Sequence, residues 1–257
     1  MDRKKLIILN LSGCKGCQNQ LFSLPKNSDY QYLLKYFDIF FFNNNVKNQS
    51  FDIALINGSA KTKRDILLLK DIKKQSKIII ALGSCACSGG IKNLANDNTK
   101  KLTNYVYGRK YQTKITTNKP IDYYITVDYH LSGCPINIES LKQLLANLAH
   151  DKIPEETTDN ICLNCKINNN NCFLLQEKPC LGPITKDNCH SLCPSNGVSC
   201  KGCAGPTASA NLQAIITTFK KQGKTKKEIK QILYPFFGHT KDYKKIFPKP
   251  IKIIIKI

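Results

Sequence analysis

Ile78-Ile79-Ile80-Ala81-Leu82 runs straight into Gly83-Ser84-Cys85-Ala86-Cys87-Ser88-Gly89-Gly90. The apolar run reads as a strand, and the Gly/Ser/Cys run as the loop at its carboxyl end. The same design recurs on both sides. Leu6-Ile7-Ile8-Leu9 leads to Ser12-Gly13-Cys14-Lys15-Gly16-Cys17, residues 39–42 form a second strand, and residues 51–56 lead to Asn57-Gly58-Ser59. Ile125-Thr126-Val127-Asp128 begins the last strand, and Ser132-Gly133-Cys134-Pro135 ends it. Between the strands, residues 61–74 read as an amphipathic helix carrying Ile66, Leu69 and Ile72, and residues 138–150 as a helix with Leu141, Leu144, Leu145 and Leu148 on one face. Residues 92–120 are polar and without a clear period, and are expected to form a long functional loop. The alternation predicts an α/β domain over residues 1–153: a flavodoxin-like parallel sheet with helices on both faces. Ligands in such folds sit beyond the carboxyl ends of the strands. Cys14 and Cys17, Cys85, and Cys134 all lie there, after three different strands, so the fold can bring four thiols to one point. The glycines beside them permit close backbone approach.

From residue 154 to 257 the texture changes. Eight cysteines fall in one segment, Cys162-x2-Cys165-x6-Cys172-x7-Cys180-x8-Cys189-x3-Cys193-x6-Cys200-x2-Cys203, with little hydrocarbon around them. A segment so poor in apolar packing needs metal as internal support, and a small, irregular domain is expected. Beyond residue 211 the chain offers a helix through Lys221, a Lys-rich helix over residues 225–233, and a Pro- and Lys-rich tail.

Composition narrows the function. The chain has 257 residues and 42% hydrophobic content, enough for a buried core. Its longest apolar runs, such as 78–82, 39–42 and 253–255, fall far below the ~20 residues of a membrane span. The amino terminus runs into a strand without a leader-like stretch, so a cytoplasmic location is expected. Thirteen cysteines in a reducing compartment suggest metal ligands or redox groups and not crosslinks. The formal charge of +21 raises nucleic acid as a partner, but Arg3, Arg64 and Arg109 are the only arginines. Arginine is the residue of bidentate base and phosphate recognition, so lysine on solvated faces is the better account, and no nucleic acid is expected.

Cys-x2-Cys pairs suit tetrahedral zinc and cubane iron–sulfur clusters alike. The first region favours clusters, because Cys14, Cys17, Cys85 and Cys134 occupy a cofactor position on the sheet and not a local knuckle. A thioredoxin-like reading of Cys14-x2-Cys17 leaves Cys85 and Cys134 unused. Twelve of the thirteen cysteines make three sets of four, and Cys87 remains, read as a small buried side chain.

Taken together, Ser12-Gly13-Cys14-x2-Cys17, Asn57-Gly58-Ser59, Gly83-Ser84-Cys85-Ala86-x2-Gly89-Gly90-Ile91, Gly133-Cys134-Pro135, Pro179-Cys180-Leu181-Gly182-Pro183-Ile184-Thr185 and Cys200-Lys201-Gly202-Cys203-Ala204-Gly205-Pro206 resemble the small subunit of nickel–iron hydrogenases. The likeness is to the cytoplasmic branch, with the sulfhydrogenase delta subunit and the methanogen small subunits. It implies an iron–sulfur electron-transfer subunit with three [4Fe–4S] clusters. Cys14, Cys17, Cys85 and Cys134 would hold the proximal one, Cys189, Cys193, Cys200 and Cys203 the medial one, and Cys162, Cys165, Cys172 and Cys180 the distal one. The implied partners are a large subunit with the Ni–Fe site, a flavin- or NAD(P)-binding subunit and a ferredoxin-like subunit.

Several positions depart from relatives. Cys162 stands where the membrane-associated branch often has a His ligand, and Cys193 where some relatives have Pro. Gln18-Asn19-Gln20 replaces the region where many relatives place a Glu associated with proton transfer. Oxygen-tolerant relatives carry extra cysteines at the positions of Gly16 and Gly90, which Cys87 does not match. His130, His150, His190 and His239 form no ligand-like pair, so the nickel–iron centre is expected on the partner and no residue here is expected to be catalytic. Two rivals stand beside this reading: a subunit of a related quinone or ferredoxin oxidoreductase complex, and a zinc-stabilised nucleic-acid-binding protein.

Overall fold

The computed structural model describes residues 3–22, 35–42, 49–110 and 115–248, so the apolar run at 253–255 lies outside the described residues. Two compact units emerge, Met1–Gly90 with Lys119–Thr157, and Ile91–Asn118 with Thr158–Ile257.

In the first unit, strands β1 (Lys4–Asn10), β2 (Phe37–Phe41), β3 (Phe51–Asn57), β5 (Ser76–Leu82) and β7 (Tyr129–Leu131) form one parallel sheet in the order β2-β1-β3-β5-β7. The short strands β4 (Ala60–Thr62) and β6 (Ile115–Lys119) lie outside this sheet. Alternate residues of each central strand feed opposite cores. Leu6, Ile8, Ile53, Leu55, Ile80 and Leu82 pack on one face with Leu141, Leu144, Leu145 and Leu148, whereas Ile7, Leu9, Ala54, Ile56, Ile79 and Ala81 pack on the other with Leu69 and Ile72. Burial on both faces explains why these strands read as unbroken apolar runs.

The helices of the first unit are α1 (Gly16–Phe22), α2 (Lys63–Gln75), α3 (Gly83–Ser88) and, after α4 of the second unit (Thr99–Tyr107), α5 (Ile138–Ala149). Helix α2 starts with a capping box: Thr62 accepts from the Asp65 amide while the Asp65 carboxylate accepts from the Thr62 amide. Asn137 caps α5 by accepting from the Ser140 amide.

Two expectations over residues 92–128 need correction. Residues 92–120 are not a long loop: Gly90–Asn98 is a 3-10 helix, followed by α4 and β6. The stretch has no apolar period because amide side chains hold it. Asn96 Oδ1 accepts from the Asn118 amide at 2.8 Å, Asn118 Nδ2 donates to Asn93 Oδ1 at 2.9 Å, and Leu94 packs on the second unit's helical core. The last strand begins at Tyr129 and not at Ile125. Asp128 is the hinge of that difference, since its carboxylate accepts from the Ile79 amide at 2.8 Å while its own amide donates to Ile79 O at 2.9 Å.

The second unit continues with α6 (Ile161–Ile167), α7 (Leu192–Ser195), α8 (Leu212–Lys221), α9 (Lys226–Phe237) and α10 (Lys241–Ile246). Its main core gathers Ile215, Phe219, Ile229, Leu233, Phe237 and Tyr243 from the last three helices. Helix α9 runs past the expected end at 233, through Pro235, because Phe236 and Phe237 are buried in that core. Among the described residues no helix is long and apolar enough to cross a membrane.

Candidate functional site

Four loops at the carboxyl edge of the sheet are tied to one another. After β1, the Ser12 carbonyl accepts from the Ser59 amide at 2.9 Å, and Leu11 N donates to Asn57 O at 2.8 Å. The Asn57-Gly58-Ser59 stretch therefore positions the Cys14 loop. Gly58 has φ +91°, and a Cβ there would lie 2.9 Å from the Leu11 carbonyl carbon, so the approach needs glycine. Asp65 adds a brace, its carboxylate accepting from Ser12 Oγ at 3.1 Å as well as from the Lys61 and Thr62 amides at 2.9 Å. The Cys85 and Cys134 loops are joined by Ser84 N donating to Gly133 O at 2.8 Å. The Cys17 thiol reaches across to Gly83, where any Cβ would collide with its sulfur.

Cys14, Cys17, Cys85 and Cys134 are thereby electrostatic neighbours. Burial pushes the Cys17 thiol up to about 11, the Ile136 amide pulls it back, and Cys85, Cys134 and Cys14 each raise it further. Burial, then Cys14, also raises Cys134. Side chains at Gly16 and Gly90 would come within 3.3 Å of Cys14 Sγ and 3.0 Å of Cys85 Sγ, so glycine keeps room around both thiols.

In the second unit, burial pushes Cys162 up to about 11, with Cys180, Cys165 and Cys172 adding to it. Cys165 is raised by burial and then by Cys180 and Cys172, while the Asn170 side chain opposes the shift. Gly182 lies between two of these thiols, its hypothetical Cβ 3.4 Å from Cys162 Sγ and 3.6 Å from Cys180 Sγ. The structure places Cys193 beside Cys189 and Cys203 beside Cys200, and Cys200 also borders Cys180. Burial drives Cys200 strongly upward.

None of the thirteen cysteines is disulfide-bonded. Among the described residues, no three His, Cys, Asp or Glu side chains are gathered as ligands of a single metal ion. Thiolates around one zinc must all stand about 2.3 Å from the same centre. A four-iron cube instead gives each thiolate its own iron, and sets of four cysteines are donors that either centre takes. The donor set agrees, since buried thiols that mutually oppose ionisation become thiolates when a cationic centre supplies the compensating charge.

The remaining sequence candidates have local roles. Cys87 donates to Ala81 O at 3.5 Å and packs against the apolar face of the sheet. His130 Nδ1 meets Glu156 at 2.7 Å, and the His150 ring lies against Tyr36. One feature escaped the sequence reading although the signal was there: Cys14-Lys15-Gly16-Cys17 and Cys200-Lys201-Gly202-Cys203 are the same tetrapeptide. In both, the glycine amide donates to the first sulfur at 3.4 Å.

Comparison with known proteins supplies the lineage. Residues 14–148 match the family profile described as NADH ubiquinone oxidoreductase, 20 Kd subunit. Sulfhydrogenase 2 subunit delta of Pyrococcus furiosus is 36% identical over 222 residues, spanning 84% of this chain and 92% of the relative. The iron-sulfur subunit of the F420-non-reducing hydrogenase from Archaeoglobus profundus is 26% identical, with 82% of this chain and 86% of the relative covered. Among solved structures, the [NiFeSe] hydrogenase from Desulfovibrio vulgaris Hildenborough contains a chain sharing the fold, at TM-score 0.52 and 17% identity, with 81% of this chain and 95% of that one covered. The chain thus belongs to the 20-kDa NADH–ubiquinone oxidoreductase subunit family, as a small subunit of the nickel–iron hydrogenase kind.

Proposed function

We propose that this chain is the iron–sulfur electron-transfer subunit of a cytoplasmic, sulfhydrogenase-like [NiFe] hydrogenase. Cys14, Cys17, Cys85 and Cys134 would hold a proximal [4Fe–4S] cluster, Cys189, Cys193, Cys200 and Cys203 a medial one, and Cys162, Cys165, Cys172 and Cys180 a distal one. The observation that carries the reading is the convergence of four thiols from three strand ends in the first unit. The clusters would supply reversible one-electron storage, with potentials set by thiolates, hydrogen bonds and burial. This chain's own part is to present the thiolates, to aim the Gly16 and Gly202 amides at Cys14 and Cys200, and to exclude water with the buried Cys17 and Cys200.

Dihydrogen chemistry would fall to a large subunit bearing the Ni–Fe centre, with a flavin- or NAD(P)-binding subunit and a ferredoxin-like subunit handling electrons beyond it. Three clusters carrying about −2 each would offset roughly six of the +21 formal charges. A quinone-reducing complex is the second reading, favoured by the matched profile, but that match ends at residue 148, before the eight-cysteine region begins. Anaerobic purification with iron, sulfide and EPR analysis tests the proposal. About twelve irons per chain are expected; zinc, or fewer than about eight irons, would overturn the three-cluster reading.

A further inference from the structure

The second unit carries a surface that the relay itself does not use. Cys172 is exposed, and the loop it opens, Cys172-Phe173-Leu174-Leu175-Gln176-Glu177-Lys178-Pro179-Cys180, holds Leu175 out at 87% exposure. The Lys-rich end of α8 and the turn after it, Lys220-Lys221-Gln222-Gly223-Lys224, are fastened to this loop by Gln222 Nε2 donating to Leu174 O at 3.0 Å. From the other side, Lys178 Nζ stands 5.9 Å from the centre of the Phe173 ring. An exposed leucine therefore shares one patch with Lys178, Lys220, Lys221 and Lys224, and Glu177 is the one acid within these two segments. The next carboxylate along the chain, Glu228, is taken up by its own helix, accepting from the Thr225 amide at 2.8 Å and from Thr225 Oγ1 at 2.7 Å.

We propose that this patch is the docking surface for an acidic iron–sulfur protein that exchanges single electrons at the Cys162, Cys165, Cys172 and Cys180 site. An apolar centre within a charged rim is the anatomy of an interface that must form and dissociate quickly. The sign of the rim selects a partner of negative charge. Cys172 is exposed in the same loop, so a partner seated on the patch comes directly against that site, and the proposed electron-transfer function makes such a partner a one-electron carrier. A cluster held by these four cysteines would pass one electron to the docked protein's iron–sulfur centre, the first being oxidised and the second reduced, with no bond made or broken and no proton moved. The inference rests on the proposed electron-transfer function.

The test uses the purified complex of this chain with its large subunit, dihydrogen as reductant, and a small acidic 2[4Fe–4S] ferredoxin as acceptor, with benzyl viologen as the control dye. The K220E/K221E/K224E variant is expected to reduce ferredoxin about tenfold more slowly at low ionic strength, with the difference closing as salt is added. Viologen reduction and the EPR signals of the complex stay at wild-type levels. Leu175→Ser is expected to slow the ferredoxin reaction without altering its salt dependence, and the neutral K220Q/K221Q/K224Q variant to fall between wild type and the charge reversal. Ferredoxin reduction by the charge-reversed complex at the wild-type rate and salt dependence, with viologen activity intact, would overturn the docking surface and leave the relay standing. A wild-type complex without cluster EPR signals would overturn the relay and the surface together.

Discussion

Cys14-Lys15-Gly16-Cys17 and Cys200-Lys201-Gly202-Cys203 share four residues and one amide-to-sulfur hydrogen bond, yet they are held by different means. The first follows a central strand and is fixed by backbone bonds to the neighbouring loop, with a two-faced sheet behind it. Its left-handed residue is Lys15, at φ +63°. The second puts the left-handed conformation on Gly202, at φ +81°, pressed against Phe237 and Leu181. Around its segment one small cluster of buried residues holds Ile161, Cys180 and Cys200, two of them cysteines, and Leu181 and Ile184 join the helical core. One knuckle is thus positioned by the fold, whereas the other belongs to a segment whose own core is made largely of candidate ligands. Metal should be a passenger in the first and a structural element in the second.

The largest expected effect follows from that contrast. Removing iron with a chelator under anaerobic conditions should speed hydrogen exchange in residues 158–203 by about a hundredfold or more, while β1, β3 and β5 keep their protection. Equal loss of protection in both regions would erase the distinction. The matched pair of glycines sharpens it. Gly83→Ala, at φ +82°, would drive a methyl group into Cys17 Sγ, so it should lower bound iron. Gly202→Ala would place one 2.6 Å from Phe237 Cε2, so it should lower Tm with a smaller effect on iron. Both carry a further backbone cost of about 1–2 kcal/mol.

A third test uses pH and a buried histidine that belongs to none of the cysteine sets. Burial, with help from Lys244, holds His239 down to about 4, and its Nδ1 has no hydrogen-bond partner among the described residues. Because the folded value lies below the ordinary 6.5, His239 contributes stability that is fully present above that pH and is lost as pH falls towards 4. The loss should reach about 2 kcal/mol by pH 5. His239→Phe should flatten the dependence of Tm on pH between 7 and 5, and an unchanged slope would refute the assignment. The smallest effects compare the two capping boxes. Asp65→Ala strands the Lys61 and Thr62 amides and Ser12 Oγ, and should cost about 1–3 kcal/mol in thermal or urea unfolding. Thr225→Ala opens the same device on an exposed turn and should cost less.

The same contrast explains what was legible in the sequence. Strands β1, β3 and β5 announce themselves because both faces are buried, and the cysteines after them are placed by topology alone. Residues 91–118 were opaque because asparagine-to-asparagine bonds, and not an apolar stripe, give them structure. The late start of β7 turns on the Asp128 carboxylate taking a backbone amide, which no periodicity reports. Helix α9 outlasts Pro235 because tertiary burial of Phe236 and Phe237 outweighs a local stop signal. The bracing role of Asp65 was hidden for a similar reason, since a lone acid in the first turn of a helix gives no sign that it also receives Ser12 from a distant loop.

The central claim is that Cys14, Cys17, Cys85 and Cys134 act as one site, separate from the other eight. Iron and sulfide analysis of Cys85→Ala, purified anaerobically beside the wild type, tests it most directly. Loss of about four of roughly twelve irons, with the remaining signals unshifted, is the predicted result. A variant that keeps the wild-type iron content would contradict the account.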